Sequence, residues 1–348
     1  MQKHIIGWDI GGAHVKAALL DDAGSVLRVM QQPCPLWKGL AHLESAIDAV
    51  LKDLPSDGVS HAVTMTGELV DCFDSREQGV EAIVWTMQAK LAPAYIHIFA
   101  GVTGFIEIDR VKPVDTMAIA SANWIASVQL AAKRRARALF VDIGSTTTDI
   151  LLIENQALAA LGHSDYERLV SGELLYTGVV RTAVMAVAQR AKFNGREMGL
   201  MAEYFATMAD VYRLTGDLRE AHDQSETADG AEKTPEASAR RLSRMTGYEF
   251  AEIDWPLWLA FAQELKCQQK QAIRLACLKQ LQRSDQAERL CLIGAGVGRF
   301  LAKELAAELG LEYLDFTDLL KQASSSGSVD AADCAPAVAV AYLAGGFG

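Results

Sequence analysis

Two aspartates stand where chemistry is possible. Asp9 lies at the end of the apolar run Ile5-Ile6-Gly7-Trp8 and leads into Ile10-Gly11-Gly12-Ala13. Asp142 ends Leu139-Phe140-Val141 and leads into Ile143-Gly144-Ser145-Thr146-Thr147. A carboxylate at a strand end can hold Mg²⁺, usually through water. Gly11 and Gly12 admit a phosphate close to the backbone, and the N–H groups of such a turn point at the anion. Ser145, Thr146 and Thr147 add hydroxyl donors. One glycine turn after a strand is weak evidence, but two in a repeated context point to phosphate binding.

The elements that must position these turns are themselves repeated. Each turn leads to a second strand, 14–20 or 148–153, then a polar turn, then a third strand, 25–30 or 157–161. Near the C-terminus Leu290-Cys-Leu-Ile-Gly294-Ala-Gly296-Val-Gly298 reads as a strand and glycine turn before a helix that runs to about residue 309. Its glycines lack the last spacing of a dinucleotide fingerprint. They fit the third motif of an actin/sugar-kinase/Hsp70 (ASKHA) fold, which packs on adenosine in kinases.

The expected fold class is therefore α/β, with two ribonuclease H-like lobes flanking a central cleft. The first lobe spans 1–120 with a returning C-terminal helix at 335–348, and the second spans 121–334. Further strands are expected at 61–66 and 95–100. Helices are expected at 117–136, as the connection between lobes, and at 171–191, 198–213, 257–282 and 335–343. Residues 222–240 have no apolar period and read as a mobile loop in the second lobe.

Bulk properties bound the function. A chain of 348 residues, half of them hydrophobic, can build two cores. The net charge of -11 argues against a nucleic-acid partner. The basic run at 133–137 reads as cations complementing a helix C-terminus. The six cysteines form no CxxC pair, no leader or membrane span is visible, and a reducing cytoplasm is expected. The sequence carries no statement of oligomeric state.

Two further segments are polar beyond what a core demands. Thr64–Arg76 clusters Glu68, Asp71 and Asp74 with Arg76 at a strand end. Its plainer reading is a helix start capped by Thr66 or Glu68. Gly162–Arg168 and Ser171–Gly178 follow the second hairpin, and His163 there is a loop histidine that more often has no chemical role than one. No GxSxG elbow or nucleophilic-cysteine signature is present.

The segment Gly7–Ala18, with Thr64–Arg76, Ser171–Thr182, Met201–Tyr204 and Asp210–Gly216, resembles the hydantoinase/oxoprolinase-like proteins of the tetrahydromethanopterin-linked C1 transfer pathway. The resemblance covers nearly the whole chain outside 222–240. It implies a transferase of methanofuran or methylofuran biosynthesis. Such an enzyme joins an aminomethyl-furanmethyl diphosphate to the phenol oxygen of a glutamylated tyramine or tyrosine and releases diphosphate. Mg²⁺ on Asp9 and Asp142 would stabilise the leaving group, helped by Lys16, by Gly11, Gly12 and Ala13, and by Gly144 to Thr147. Gly294 and Gly296 would add to the phosphate site. Glu68 is the candidate to take the phenol proton. ATP is not required in this reading. The alternative is an ATP-dependent small-molecule kinase or oxoprolinase-like enzyme. A catalytically silent nucleotide sensor is a third reading, against which the presence of Asp9, Lys16 and Asp142 argues.

Overall fold

The computed structural model describes residues 4–55, 58–285, 290–321 and 328–347. The chain divides into two compact units. The first comprises Met1–Ala138, Ile153–Ala159 and Asp315–Gly348, and the second Leu139–Leu152 and Ala160–Leu314.

In the first unit, β1 (His4–Ile10), β2 (His14–Leu20) and β3 (Val26–Pro33) form an antiparallel meander. β4 (Val59–Met65) and β5 (Tyr95–Phe99) extend it in parallel from β1, and β6 (Phe105–Glu107) closes the edge, giving the order β3-β2-β1-β4-β5-β6. The crossovers are α1 (Leu40–Leu51) and α2 (Arg76–Leu91). Ile6, Trp8 and Ile10 alternate onto one buried face with Leu43, Ile47, Val80 and Ile83. Gly7 and Asp9 share the opposite face. There α11 (Ala335–Ala344) approaches so closely that a Cβ on Gly7 would lie 1.9 Å from the Ala337 carbonyl oxygen. The C-terminal helix thus packs back on the first sheet, as its small apolar residues suggested.

The expected single helix at 117–136 is broken. α3 (Thr116–Ile119) stops, Ser121 adopts φ 51°, and α4 (Asn123–Arg134) starts anew. α4 packs on α11 and belongs to the first unit, so that unit extends past residue 120. The segment Asp315–Gly348, wider than the C-terminal helix alone, also belongs to it. Arg134 in the last turn of α4 donates to the Tyr342 hydroxyl and stacks on its ring, so the basic run does close a helix.

The second sheet has the order β10-β8-β7-β13-β14 with β7 (Ala138–Ile143) and β8 (Thr148–Glu154) at its centre, and β9 (Ala157–Leu158) pairs with the last residues of β8 in the stretch that belongs to the first unit. β10 (Leu174–Leu175) pairs with Asp149 and Thr148 of β8, and β13 (Cys291–Ala295) and β14 (Glu312–Asp315) complete the sheet. The third strand expected at 157–161 is therefore split, β9 covering its first two residues and β10 arriving later. Both sheets follow the ribonuclease H-like order, and the fold is of the actin/sugar-kinase/Hsp70 type.

The helices expected at 171–191 and 198–213 are replaced by shorter elements. These are α5 (Asp165–Ser171), α6 (Val184–Val187), a hairpin of β11 (Arg190–Phe193) and β12 (Arg196–Gly199), and α7 (Met208–Thr215). Asn194 and Gly195, with φ 47° and 72°, form the two-residue turn that such hairpins favour. The segment 222–240 is also corrected. α8 (Pro235–Thr246) begins inside it, capped by Thr234. Fully buried Arg241 donates to Asp210 at 2.8 Å, to Asp229 at 3.0 Å and to the Glu232 carbonyl at 3.1 Å. Buried Asp223 receives Arg213, with Lys233 3.5 Å away. Charge pairing, not apolar burial, orders this stretch, and composition alone does not reveal the pairs. α9 (Trp255–Leu281) and α10 (Arg299–Leu309) match the expected helices and complete the unit.

Candidate functional site

The two Asp-Ile-Gly turns share one backbone design. In the first, Gly11 N–H donates to the His14 carbonyl at 2.9 Å, and in the second Gly144 N–H donates to the Thr147 carbonyl at 2.9 Å. Among the described residues no acceptor is found for the amides of Gly12 and Ala13, nor for those of Ser145, Thr146 and Thr147. All five residues are partly exposed. Successive amides of this kind make an anion-binding concavity.

Around the first turn, Asp9 is 6% exposed and its Oδ1 accepts from Asn123 Nδ2 at 3.3 Å. Lys16 is the direct cross-strand partner of Asp9, and its Nζ donates to the Asp333 carbonyl at 2.7 Å. Thr64 is the partner of Asp9 on the other side. The carbonyls of Gly12 and Ala13 are held by Leu36 N–H at 3.0 Å and Cys34 N–H at 2.8 Å.

Glu68 sits in a 3-10 turn directly after β4 and is 1% exposed. Its Oε1 accepts from Ser121 Oγ at 2.7 Å. A Cβ on Gly79 would lie 2.5 Å from the Glu68 carbonyl oxygen, so α2 presses directly on it. The cap of α2 is Ser75, which accepts from Gln78 N–H, and neither Thr66 nor Glu68 fills that role. Asp71 and Asp74 are exposed, leaving Glu68 the one buried acid of its cluster.

Around the second turn, Val180 and Arg181 N–H donate to the Ser145 carbonyl at 3.1 and 2.8 Å. A Cβ on Gly178 would lie 2.4 Å from Thr146 N. Buried Gln269 supports this strap by donating to Thr177 Oγ1 at 2.7 Å and to the Gly178 carbonyl at 2.9 Å. Gly296, at φ 80°, touches Asp142, since a Cβ there would lie 2.3 Å from Oδ1. Gly298 N–H donates to the Ile143 carbonyl at 2.8 Å. The third glycine motif therefore abuts the second loop. Gly294 is explained by packing instead, because a Cβ there would lie 2.7 Å from the Tyr313 ring. His163 is an exposed loop residue whose amide donates to Glu167, within the capping box of α5. Glu173 is a buried hub for Leu161, Gly162, Ser171 and Arg283.

Sequence reasoning missed Ser121, Asn123 and Asp333, which meet Glu68, Asp9 and Lys16 only through tertiary packing. Arg299, whose guanidinium donates to the Gly296 carbonyl at 3.2 Å, could have been noticed one residue past Gly298.

Electrostatics set apart groups that are not reactive. Burial pushes the thiols of Cys34, Cys277 and Cys334 up to about 12, which keeps them protonated. Burial lowers His61 to about 4. Its Nδ1 accepts from Trp8 Nε1 at 3.1 Å, so it is a neutral core histidine. Among the described residues no group of three or more His, Cys, Asp or Glu gathers as a metal cluster. Mg²⁺ does not need one, since it commonly binds through one or two carboxylates, waters and substrate phosphates. Asp9 and Asp142, each near amides with no acceptor among the described residues, suit that mode.

A family model for hydantoinase/oxoprolinase matches residues 60–337. The chain is 32% identical over 248 residues to the (4-{4-[2-(gamma-L-glutamylamino)ethyl]phenoxymethyl}furan-2-yl)methanamine synthase of Methanocaldococcus jannaschii, covering 70% of this chain and 72% of that one. It is 34% identical over 115 residues to the enzyme of the same name from Methanococcus vannielii, covering 33% of this chain and 51% of that one. Among solved structures, nucleotide-free acetone carboxylase matches with a TM-score of 0.55 at 10% identity, over 98% of this chain and 70% of that one. That likeness concerns the fold alone. The match across most of the length, by family and by sequence, places the chain in the hydantoinase/oxoprolinase family.

Proposed function

We propose that this protein is a transferase that joins an aminomethyl-furanmethyl diphosphate to the phenol oxygen of a glutamylated tyramine, or a tyrosine equivalent, in methanofuran or methylofuran biosynthesis. The observation that carries the reading is the pair of strand-end turns, each with an aspartate and with amides that donate to no acceptor among the described residues. The name of the relatives supports the product, since it describes a phenoxymethyl-furan ether bearing a γ-glutamylaminoethyl group and a methanamine.

In this reaction the bond from the furanmethyl carbon to diphosphate oxygen breaks, and its electron pair leaves with diphosphate. The carbon carries positive charge by resonance with the ring oxygen. The phenol oxygen bonds to that carbon, and Glu68 takes the phenol proton. The demand on the protein is charge stabilisation of the leaving group more than activation of a strong nucleophile. Each turn offers part of this within its own unit: the Gly12–Ala13 amides with Lys16 in the first, and the amides and hydroxyls of Ser145 to Thr147 in the second. Bound Mg²⁺ would neutralise part of the diphosphate charge. No ATP enters the balance.

The test supplies the pure protein with the furanmethyl diphosphate, Mg²⁺ and phenolic acceptors, without ATP. The expected outcome is the ether by mass spectrometry, with one diphosphate released per ether. Asp9→Asn and Asp142→Asn are each expected to weaken Mg²⁺-dependent diphosphate binding by calorimetry with the fold intact. No ether with any phenolic acceptor, alongside brisk ATP turnover, would instead support an ATP-dependent kinase or oxoprolinase-like enzyme.

A further inference from the structure

We propose that the break between α3 and α4 is a positioning device for both acids of the first unit, Ser121 fixing the Glu68 carboxylate and Asn123 fixing the Asp9 carboxylate. This deepens the function proposed above and rests on it, because it supposes that Glu68 and Asp9 act on the substrate.

The backbone is shaped for this purpose. Ala120 N–H closes α3 on the Thr116 carbonyl at 2.9 Å, and Ile125 N–H opens α4 on the Ala122 carbonyl at 3.0 Å. Between them Ser121 holds φ 51°, a left-handed conformation that a non-glycine residue adopts at a steric cost. Such a residue persists where its surroundings over-determine it, and these residues cluster at functional sites. A turn beginning at Gly101 presses on the break: a Cβ there would lie 3.1 Å from Ile125 Cδ1 and 3.3 Å from the Ala118 carbonyl oxygen. In an unbroken helix, side chains two positions apart point about 200° apart. The interruption lets Ser121 and Asn123 both reach acids of the neighbouring elements, Glu68 in the 3-10 turn after β4 and Asp9 in β1.

The contacts are specific in sense as well as distance. Ser121 is 8% exposed and Glu68 1%, so their 2.7 Å hydrogen bond is shielded from water. The Asn123 amide is oriented from its other end: Oδ1 accepts from Trp124 N–H at 2.7 Å, and Nδ2 is thereby aimed at Asp9 Oδ1. Ser121 and Asn123 touch the acids and not the reacting atoms, and so they are positioning residues.

The experiment uses the full chain with Ser121→Gly, Ser121→Ala, Asn123→Ala and Glu68→Gln. Ether formation gives kcat and KM, and calorimetry with inorganic diphosphate and Mg²⁺ gives Kd. Ser121→Gly suits the φ of the break and removes the whole CH2OH side chain, so relief of backbone strain offsets part of the lost hydrogen bond and its thermal midpoint should stay near that of the parent. It is expected to lose about tenfold in kcat, with KM and the diphosphate Kd held within about twofold. Asn123→Ala is expected to do the reverse, raising Kd about fivefold. Glu68→Gln should be inactive. Ser121→Gly turning over at the parental rate while Glu68→Gln is dead overturns the positioning role and leaves the proposed function standing. Glu68→Gln active at the parental rate overturns both. An unchanged Kd in Asn123→Ala overturns the Asp9 half. Should Ser121→Ala fail to fold, Ser121→Gly still decides.

Discussion

The two hairpins use one backbone and diverge at the seventh residue past the aspartate. In the first copy this residue is Lys16, paired across the strands with Asp9 and tied to the Asp333 carbonyl. In the second it is Asp149, which pairs with Arg168. Burial raises the Asp149 carboxyl above its ordinary range, against the lowering pull of that guanidinium. One copy therefore presents a cation beside the turn proposed to hold an anion. The other has turned the same position into a structural ion pair and surrounds its cradle with the neutral hydroxyls of Ser145, Thr146 and Thr147. The two turns share one backbone geometry and differ in the charge they carry at this position.

That difference is open to a direct break. Arg168 is 2% exposed, and Asp165 stands 3.9 Å away as a weaker second partner. Asp149→Ala leaves a buried guanidinium without its main counter-charge, a change that costs about 3–5 kcal/mol. Denaturant unfolding should show this loss, while diphosphate affinity of the folded protein stays at the parental value. A stable Asp149→Ala protein with weakened diphosphate binding would show that the second copy retains a ligand role at this position.

Much of this was legible before any coordinates. The Asp-Ile-Gly repeats, the third glycine turn, α9, α10 and α11 follow from local pattern, since strand alternation, glycine and helical period all act within a few residues. The helices expected at 171–191 and 198–213 give way to shorter elements because small apolar residues satisfy a helical period as readily as a loop, and the Asn194-Gly195 turn lies between them. Order in 222–240 depends on which charges meet, such as Arg241 with Asp210, and composition cannot pair them. The supports of the site were illegible for the same reason. Ser121 reaches Glu68 across 53 residues of sequence and Asn123 reaches Asp9 across 114.

A second contrast lies beneath the strands. Trp8 in β1 donates to His61 in β4, whereas the corresponding residue of the second copy is Val141, with no polar group to satisfy. His61 is held neutral, its pKa lowered by burial from 6.5 to about 4. Because the folded value lies below the unfolded one, the unfolded chain binds the extra proton, and stability falls as pH drops from about 6.5 to about 4. The window corresponds to about 3 kcal/mol. His61→Gln should flatten this part of the stability profile relative to the parent. Parallel profiles for the two proteins between pH 7 and pH 4 would remove His61 as the cause.

The smallest expected effect is the one that most sharpens the comparison. Lys16 can serve the proposed diphosphate only as a charge near its oxygens, so Lys16→Met should keep the fold and the neutral amide donors. The expected loss is about tenfold in diphosphate affinity, equivalent to about 1.4 kcal/mol, and it should shrink as salt rises, because screening weakens an accessible charge. The same substitution removes the Lys16 hydrogen bond to the Asp333 carbonyl, which is a stability effect and not an affinity effect. Measuring both separates the roles. A fall in unfolding free energy with unchanged Kd at every salt concentration would make Lys16 a strut between β2 and the start of α11. The first copy would then have converted its seventh residue to structural use just as the second has. A salt-dependent change in Kd with little change in stability would establish Lys16 as the charged member of the pair of cradles.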